Sequence, residues 1–351
     1  GSSRWSDGLG CIFQLADSLG KPIVLDKSTE VRFRFGVQPG GGEYLSPSSV
    51  QTDNNGKAEV SISSGTKAGV VQIIAESTID GRLIRSQPVA VTIHGGLPDQ
   101  SHFSLGPARR NFPGLNAYGL TNLMSVIVGD KYSNPVRVGS SVYFETTHGV
   151  IEGSTVTDGQ GLGGVNLLSA NPLPPDGIAH ITAYTADDQQ NVVSSTIPVV
   201  FSGTPVITVN PGSASRNQTY NYTVTDYNGN PLAQGTNISV QAEGTAIKVG
   251  GHTSVGLDDT SFSGGIDYEH VVRGPGITQF TFRISDDIDP LNPETPVVDL
   301  ISIKSSGPNG TLEVILGGAG APFSRTEGVK MQLMPDGQFR FELNEKPKER
   351  R

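Results

Sequence analysis

Apolar and polar positions alternate along most of this chain in short stretches that glycine and proline separate. Residues 31–35 read Val-Arg-Phe-Arg-Phe, and residues 142–145 read Val-Tyr-Phe-Glu. A period of two places one face of a strand on a core and the other in solvent. Because turn-forming residues interrupt every such stretch, the pattern predicts many short strands and almost no helix, which is typical of an all-β protein.

One turn motif recurs three times, in residues 15–35, 127–146 and 223–244. Each copy has a strand, an aspartate, a Gly- or Ser-containing turn with a proline, and a second strand. The aspartate can accept backbone N–H bonds in the turn, Gly or Asn tolerates positive φ, and Pro fixes φ. The three aspartates, Asp17, Asp130 and Asp226, lie roughly 100 residues apart, which is the length of one immunoglobulin-like sandwich.

A second segment follows each of the first two turns. Residues 50–77 and 155–185 share a Thr-Asp pair, a glycine turn, a strand, a polar loop and another alternating strand. The third copy, residues 258–285, keeps only the last strand. Together these motifs resemble the bacterial Ig-like group 1 domains of invasin- and intimin-type surface proteins, over residues 11–305. The C-type-lectin-like tip of invasins has no counterpart here, because one cysteine cannot supply that tip's disulfide.

The resemblance implies an all-β fold with three tandem immunoglobulin-like β-sandwich domains in an elongated rod and a C-terminal β-hairpin extension. We expect domain 1 at 1–96, domain 2 at 97–203, a divergent domain 3 at 204–318, and a C-terminal β extension with a charged tail at 319–351. The connections within 89–100 and 197–213 are short and contain Gly and Pro. Such linkers leave little room for a hinge, which predicts a stiff rod.

Composition excludes several classes of function. The net charge is −9, and no basic run precedes the last few residues, so we expect no nucleic-acid partner. No apolar run is long enough to insert in a membrane. The sequence contains no paired metal-type histidines, no Cys-x-x-Cys and no Gly-x-Ser-x-Gly, and the Gly-x-Gly-x-x-Gly at 159–164 precedes no helix. We therefore expect no enzyme activity and no organic cofactor.

Two segments carry candidate sites. Residues 106–125 have no counterpart in the first repeat and place Phe112, Leu115 and Tyr118 in a loop-like context. One interpretation is a partner-binding loop, because recognition residues often lie on loops of rigid scaffolds; the other is a loop packed on a sheet edge or a neighbouring domain. The second segment gathers oxygen ligands that suit Ca²⁺, or else forms a solvated acidic loop; its residues are Asp286, Asp287, Asp289 and Glu294.

The two ends of the chain differ in their strand patterns. Before Asp17 only residues 11–16 read as a strand, so the first sandwich is expected to lack its opening strand. Residues 329–343 read as two alternating strands around a Pro-Asp-Gly turn, with no obvious place in the third sandwich. A surplus strand at one end and a vacancy at the other predict head-to-tail self-assembly by strand donation. The alternatives are that the chain belongs to a longer protein or that the hairpin packs on its own third domain.

These observations favour a non-enzymatic structural or adhesive module of a bacterial surface or extracellular protein, acting as a stiff stalk or fibre subunit. Its expected partners are other protein subunits or a surface receptor. Two alternatives stay open: a specific protein- or carbohydrate-binding module, and accessory domains of a secreted enzyme. A carbohydrate site would normally present aromatic platforms, and only 7% of the residues are aromatic.

Overall fold

The computed structural model describes residues 9–17, 19–23, 28–263, 270–318 and 322–343. Within these ranges the chain is built from strands, with one 3₁₀ turn at Gln100–His102. The strands form three consecutive immunoglobulin-like β-sandwiches, which confirms the predicted fold class. A search of the described residues finds no helix with the length and apolarity to cross a membrane.

The first sandwich packs two antiparallel sheets. Its strands are β1 (Leu9–Gln14), β2 (Glu30–Phe35), β3 (Tyr44–Ser46), β4 (Ser49–Gln51), β5 (Lys57–Ser63), β6 (Gly69–Ile79), β7 (Arg82–Arg85) and β8 (Val89–Ile93). One sheet has the order β1-β5-β3. The other has the order β4-β2-β6-β7, and β8 also pairs with β6. Because β1 is the last strand of its sheet, its outer edge is open among the described residues.

The second sandwich adds a strand at that edge. Its strands are β9 (Phe103–Pro107), β10 (Asn111–Phe112), β11 (Thr121–Val128), β12 (Ser141–Thr146), β13 (Val150–Ile151), β14 (Ser154–Val156), β15 (Leu162–Leu168), β16 (Ile178–Ala186) and β17 (Val192–Phe201). The sheet orders are β13-β15-β11-β9 and β10-β17-β16-β12-β14. Strand β9 pairs antiparallel with β11, on the side opposite β15.

The third sandwich is the largest. Its strands are β18 (Val206–Asn210), β19 (Thr219–Thr225), β20 (Asn237–Thr245), β21 (Ile247–Gly251), β22 (Ser254–Gly256), β23 (Phe262–Ser263), β24 (His270–Val271), β25 (Gln279–Asp286), β26 (Val297–Gly307), β27 (Gly310–Gly317), β28 (Phe323–Ser324), β29 (Val329–Leu333) and β30 (Phe339–Leu343). The two main sheets have the orders β21-β25-β19-β18-β30-β29 and β22-β20-β26-β27-β28. Strands β23 and β24 form a separate pair.

Each sandwich buries its own apolar core, because inward positions alternate with outward ones along most of the long strands. In β11 every second residue is buried, including Met124 and Val126. The third core is aromatic, and the rings of Tyr220 and Phe282 stack at 4.6 Å. The core of the first sandwich has smaller side chains, and Phe33 is its one buried aromatic residue among the described positions. This difference indicates that the first sandwich has the least apolar burial of the three.

The C-terminal hairpin forms as predicted and packs on its own third sandwich, which was one of the alternatives to strand donation. Strands β29 and β30 pair around Pro335-Asp336-Gly337, and Gly337 has φ of 82°. Strand β30 also pairs antiparallel with β18, and Phe341 is completely buried in the third core. The expectation that the hairpin has no place in the third sandwich is therefore wrong. Strand donation through 329–343 loses its basis, because β30 already completes its own domain.

The other end of the chain is only partly described. The expectation that the first sandwich lacks an opening strand also concerns residues 1–8, which lie outside the described residues, so it stays a prediction. The charged tail at 344–351 lies outside them as well.

Candidate functional site at the joints between sandwiches

The repeated aspartate turn stands where one sandwich meets the next. Asp130 and Asp226 each use Oδ1 to accept the backbone N–H groups two and four residues ahead, at 2.8 to 2.9 Å. The left-handed position of the turn is held by Ser133 (φ 65°) and Gly229 (φ 76°). The predicted turn chemistry is confirmed, because the carboxylate satisfies N–H groups that the strands leave unpaired.

The second carboxylate oxygen of each aspartate binds the linker from the preceding sandwich. Oδ2 of Asp130 accepts the N–H of Gly96 at 2.7 Å, and Oδ2 of Asp226 accepts the N–H of Gly203 at 3.0 Å. We call the contact of the first and second sandwiches the first joint, and that of the second and third sandwiches the second joint. One aspartate at each joint thus holds both its own turn and the incoming chain.

An asparagine four residues after each aspartate reaches across the same joint. At the first joint the Nδ2 of Asn134 donates to the carbonyl oxygen of Thr66 at 2.8 Å, and its Oδ1 accepts the N–H of Ala68 at 3.0 Å. At the second joint the Nδ2 of Asn230 donates to the carbonyl oxygen of Asp176 at 2.8 Å. Both contacted loops lie between equivalent strands, β5–β6 and β15–β16, so the geometry of the joint repeats.

Glycine is needed where the backbones come closest. A Cβ added to Gly95 would overlap the carbonyl oxygen of Pro135, which belongs to the turn of the second sandwich. At the second joint, Gly177 has φ of 78°, and an added Cβ would lie 2.6 Å from Nδ2 of Asn230. A side chain at Gly95 would therefore collide with backbone across the first joint, and one at Gly177 would collide with the Asn230 side chain across the second.

The second joint has a further polar network on the strand β10 side. The carboxylate of Asp259 accepts the backbone N–H of Arg110 at 2.7 Å and that of Asn111 at 3.0 Å. The Nδ2 of Asn111 donates to the carbonyl oxygen of Pro231 and to Oγ1 of Thr260, both at 2.8 Å. Asn111 is completely buried. A buried amide that makes two bonds to the next domain ties the two sandwiches together, because breaking the contact would leave its donors unpaired.

Asn309 adds a third set of bonds at the second joint. Its Nδ2 donates to Oγ of Ser202 at 2.9 Å and to the carbonyl oxygen of Gly203 at 2.7 Å, and its Oδ1 accepts the N–H of Ala233 at 2.7 Å. Its own carbonyl oxygen accepts a bond from Nδ2 of Asn116 at 2.7 Å. The linker is therefore held from two sides, by Asp226 and by Asn309.

The pKa values of the two joint aspartates shift in opposite directions. Burial raises the pKa of Asp226, and the N–H groups of the turn and linker and the charge of Arg273 only partly offset it, so its pKa lies above the ordinary value. Burial also raises the pKa of Asp130, but the bonds from the Asn134 side chain and the backbone N–H groups of Gly96, Asn134 and Tyr132 outweigh burial and lower its pKa. The same turn is thus more strongly desolvated at the second joint.

Two of the three residues predicted for a partner-binding loop lie in the interior. Phe112 and Leu115 are buried in the core of the second sandwich, where Phe112 packs against Phe201 at 4.5 Å. Tyr118 is partly buried, and its hydroxyl donates to Oδ1 of Asn171 at 3.2 Å. Partner binding by Phe112 and Leu115 does not fit their burial. The segment around them instead supplies Asn111 and Asn116 to the second joint.

The acidic segment of the third sandwich does not assemble a metal centre. Asp286 accepts a bond from Nδ2 of Asn217 at 2.9 Å, and Asp287 pairs with Nζ of Lys248 at 3.2 Å. Asp289 caps its own turn by accepting the N–H of Leu291. No group of three or more His, Cys, Asp or Glu side chains suited to a metal ion, Glu294 included, occurs in the described ranges. The carboxylates of Asp286, Asp287 and Asp289 thus contact separate partners, and calcium binding by this segment is left to experiment.

Sequence patterns missed the residues that distinguish the second joint. Asn111, Asp259 and Asn309 are single polar residues outside the repeated motif, and each finds its partners far away along the chain. Asn134 and Asn230 could have been found, because both precede the proline of the repeated turn. The available signal was that the second and third copies of the turn both have asparagine before the proline, whereas the first copy has lysine.

Comparisons with known proteins give structural likeness alone. No protein-family model matches the chain, and no curated protein matches its sequence. FdeC, an Escherichia coli adhesin, is 14% identical, with 90% of each chain covered and a TM-score of 0.46. Invasin, a bacterial integrin-binding protein, is 15% identical, with 97% of this chain and 71% of that chain covered and a TM-score of 0.33. The D0–D1 domains of intimin are 19% identical, over 56% of this chain and 91% of that chain, with a TM-score of 0.23.

Proposed function

We propose that this chain is a non-enzymatic structural module of a bacterial surface or extracellular protein, a stiff stalk that sets the distance between what lies at its two ends. The observation that carries the proposal is the repeated bond between a joint aspartate and a linker glycine, at Asp130 and at Asp226. The surface location rests on the motifs that resemble invasin-type repeats. Its partners are then other protein subunits or a surface receptor.

A stalk needs joints that resist bending, and the bonds at both joints supply that resistance. Hydrogen bonds to a charged group contribute about 1.5–3 kcal/mol each. Among the described residues, hydrogen bonds join the first sandwich to the second and the second to the third, and none joins the first to the third. Such consecutive contacts favour a row of sandwiches in which each joint is set separately.

Distance distributions between labelled sandwiches test the proposal. In a Cys11→Ser background, cysteines placed two at a time at exposed Glu59, Ser154 and Lys304 carry spin labels, one label in each of two neighbouring sandwiches. Pulsed electron resonance should give a narrow distribution across both joints. A broad distribution across both joints in the otherwise unaltered chain would rule out a stiff stalk and leave the binding-module alternative.

A matched pair of variants shows whether the linker bond is responsible. Asp130→Ala removes the turn bonds and the bond to Gly96, and we expect a broader distribution across the first joint. Asp158 makes the same turn bonds, at 2.8 and 2.9 Å, within the second sandwich. Asp158→Ala should therefore leave both distributions narrow.

A further inference from the structure

The first sandwich contains the same aspartate turn as the other two. The Oδ1 of Asp17 accepts the backbone N–H groups two and four residues ahead, at 2.8 and 3.0 Å, and its own N–H donates to the carbonyl oxygen of Lys21. Asp130 and Asp226 make the same three bonds. Gly20, with φ of 77°, takes the left-handed position. Strand β1 is therefore the counterpart of β11 and β19.

In the second and third sandwiches, one incoming segment satisfies two features of this turn. Its glycine donates to Oδ2 of the aspartate, and its first strand pairs antiparallel with the strand before the aspartate. Strand β9 pairs in this way with β11, and β18 with β19. The inward side chains of β18, Ile207 and Val209, are completely buried and close that side of the core.

In the first sandwich the described residues supply neither partner. Asp17 is exposed, no described residue donates to its Oδ2, and β5 is the one strand among the described residues that pairs with β1. The inward residues Cys11 and Phe13 are only partly buried, whereas their counterparts Met124 and Val126 are completely buried. Within the described ranges, an open strand edge, a carboxylate oxygen without a donor and a partly uncovered core therefore lie side by side.

We propose that the outer edge of β1 and Asp17 together form a docking surface for one extended polypeptide segment from an immunoglobulin-like sandwich of the same repeat type. A glycine of that segment donates its N–H to Oδ2 of Asp17, and the residues after it add an antiparallel strand to β1. The interfaces at the other two joints define this occupant, because the surface repeats their aspartate turn and their strand edge. Lys21 stands where the other two turns have asparagine. The surface is open to it whether the chain serves as a stalk or as a binding module.

The third sandwich sets the register of the docked strand. There, residues 206–210 pair with residues 221–225. The equivalent stretch of the first sandwich is residues 12–16, since Leu15 and Val224 make the same bond into the facing turn. In this register the inward side chains of the added strand lie opposite Phe13 and Leu15. Main-chain bonds would then supply affinity and the two apolar side chains would supply selectivity.

A peptide copied from the chain itself provides the probe. Residues 202–210, Ser-Gly-Thr-Pro-Val-Ile-Thr-Val-Asn, contain the linker glycine and strand β18. The fluorescently labelled peptide is titrated into the full chain, and the reaction of Cys11 with a thiol reagent is followed with and without peptide. Cys11 is the one cysteine of the chain and lies in β1 next to residue 12, where the docked strand ends, so we expect binding and slower modification. A peptide with Ile207→Asp and Val209→Asp should neither bind nor slow the modification of Cys11.

The variant Asp17→Asn isolates the carboxylate. Asparagine keeps an oxygen for the turn but replaces Oδ2 with an N–H₂ group that faces the glycine N–H, so we expect binding about tenfold weaker. Asp53 makes an equivalent turn within the first sandwich, and Asp53→Asn should bind the peptide as the parent does. An equal loss of peptide affinity in Asp17→Asn and Asp53→Asn would overturn the role of Asp17.

Two further results would overturn the proposal itself. The first is the absence of both binding and Cys11 protection at millimolar peptide. The second is protection of Cys11 that grows with protein concentration in the absence of peptide, together with dimers in light scattering. That result would assign the edge of β1 to a second copy of this chain.

Discussion

The two joints begin from the same bond and differ in what surrounds it. At the first joint, Asp130 and Asn134 account for the hydrogen bonds between the first and second sandwiches among the described residues. At the second joint the equivalent bonds are joined by those of buried Asn111 and Asn309 and of partly buried Asp259. A repeated motif therefore sets where two sandwiches meet, and residues outside the motif set how firmly they are held.

The largest effect is expected at Asn309. The change Asn309→Ala removes two donors from the linker and leaves the buried N–H of Ala233 without its acceptor, so we expect a loss of about 3 kcal/mol in the free energy of unfolding. In calorimetry, the second and third sandwiches of the parent should unfold in one transition, and this change should split it. Exposed Asn237→Ala is the control and should leave one transition. Separate transitions in the parent would contradict a firm second joint.

A smaller loss is expected from Asp130→Ala at the first joint. The variant loses the turn bonds and the bond to Gly96, and we expect about 2 kcal/mol, against about 1 kcal/mol for Asp158→Ala, which loses turn bonds alone. Chemical unfolding of the first and second sandwiches measures both. Equal losses in the two variants would show that the linker bond adds nothing to stability.

Acidification should weaken the stabilisation that Asp130 gives the first joint and strengthen the one that Asp226 gives the second. The pKa of Asp130 is lowered in the folded chain, so its stabilisation is present above the ordinary value of 3.8 and is lost as the pH falls through the folded value. The pKa of Asp226 is raised, so its contribution is greatest below 3.8 and is lost as the pH rises through the folded value. The cost of Asp130→Asn should therefore shrink from pH 7 to pH 3, and that of Asp226→Asn should grow. If unfolding experiments show that the costs of both substitutions change with pH in the same direction, the opposite pKa shifts of Asp130 and Asp226 are contradicted.

The smallest effect is expected from calcium. Asp286 and Asp287 already have protein partners, so millimolar Ca²⁺ should leave the thermal midpoint where a chelator leaves it. A clear rise in the thermal midpoint with Ca²⁺ that Asp287→Asn removes would contradict this expectation. It would show that a bound ion stabilises the third sandwich as well as the second joint does.

Local patterns in the sequence predicted what depends on near neighbours. The alternation of β2 and β12 and the turns of Asp130 and Asp226 follow from periodicity and turn chemistry within a few residues. The pairing of β30 with β18 joins segments at opposite ends of the third sandwich, and no local pattern encodes such a partner. The same holds for Asn309, whose role depends on a linker that lies far before it in the chain. The aromatic residue Phe112 was placed in a loop because its strand, β10, has only two residues.

The second sandwich holds both halves of a joint, the aspartate at its beginning and the glycine at its end. Duplication of the gene segment that encodes such a unit would insert a complete new joint, since the copied Gly203 would meet a copied Asp130 and each unit would still contact its neighbours. A lineage could therefore lengthen or shorten this protein by whole units without evolving a new contact surface. The additional bonds of Asn111 and Asn309 would stay with the one pair of units that has diverged from the common pattern.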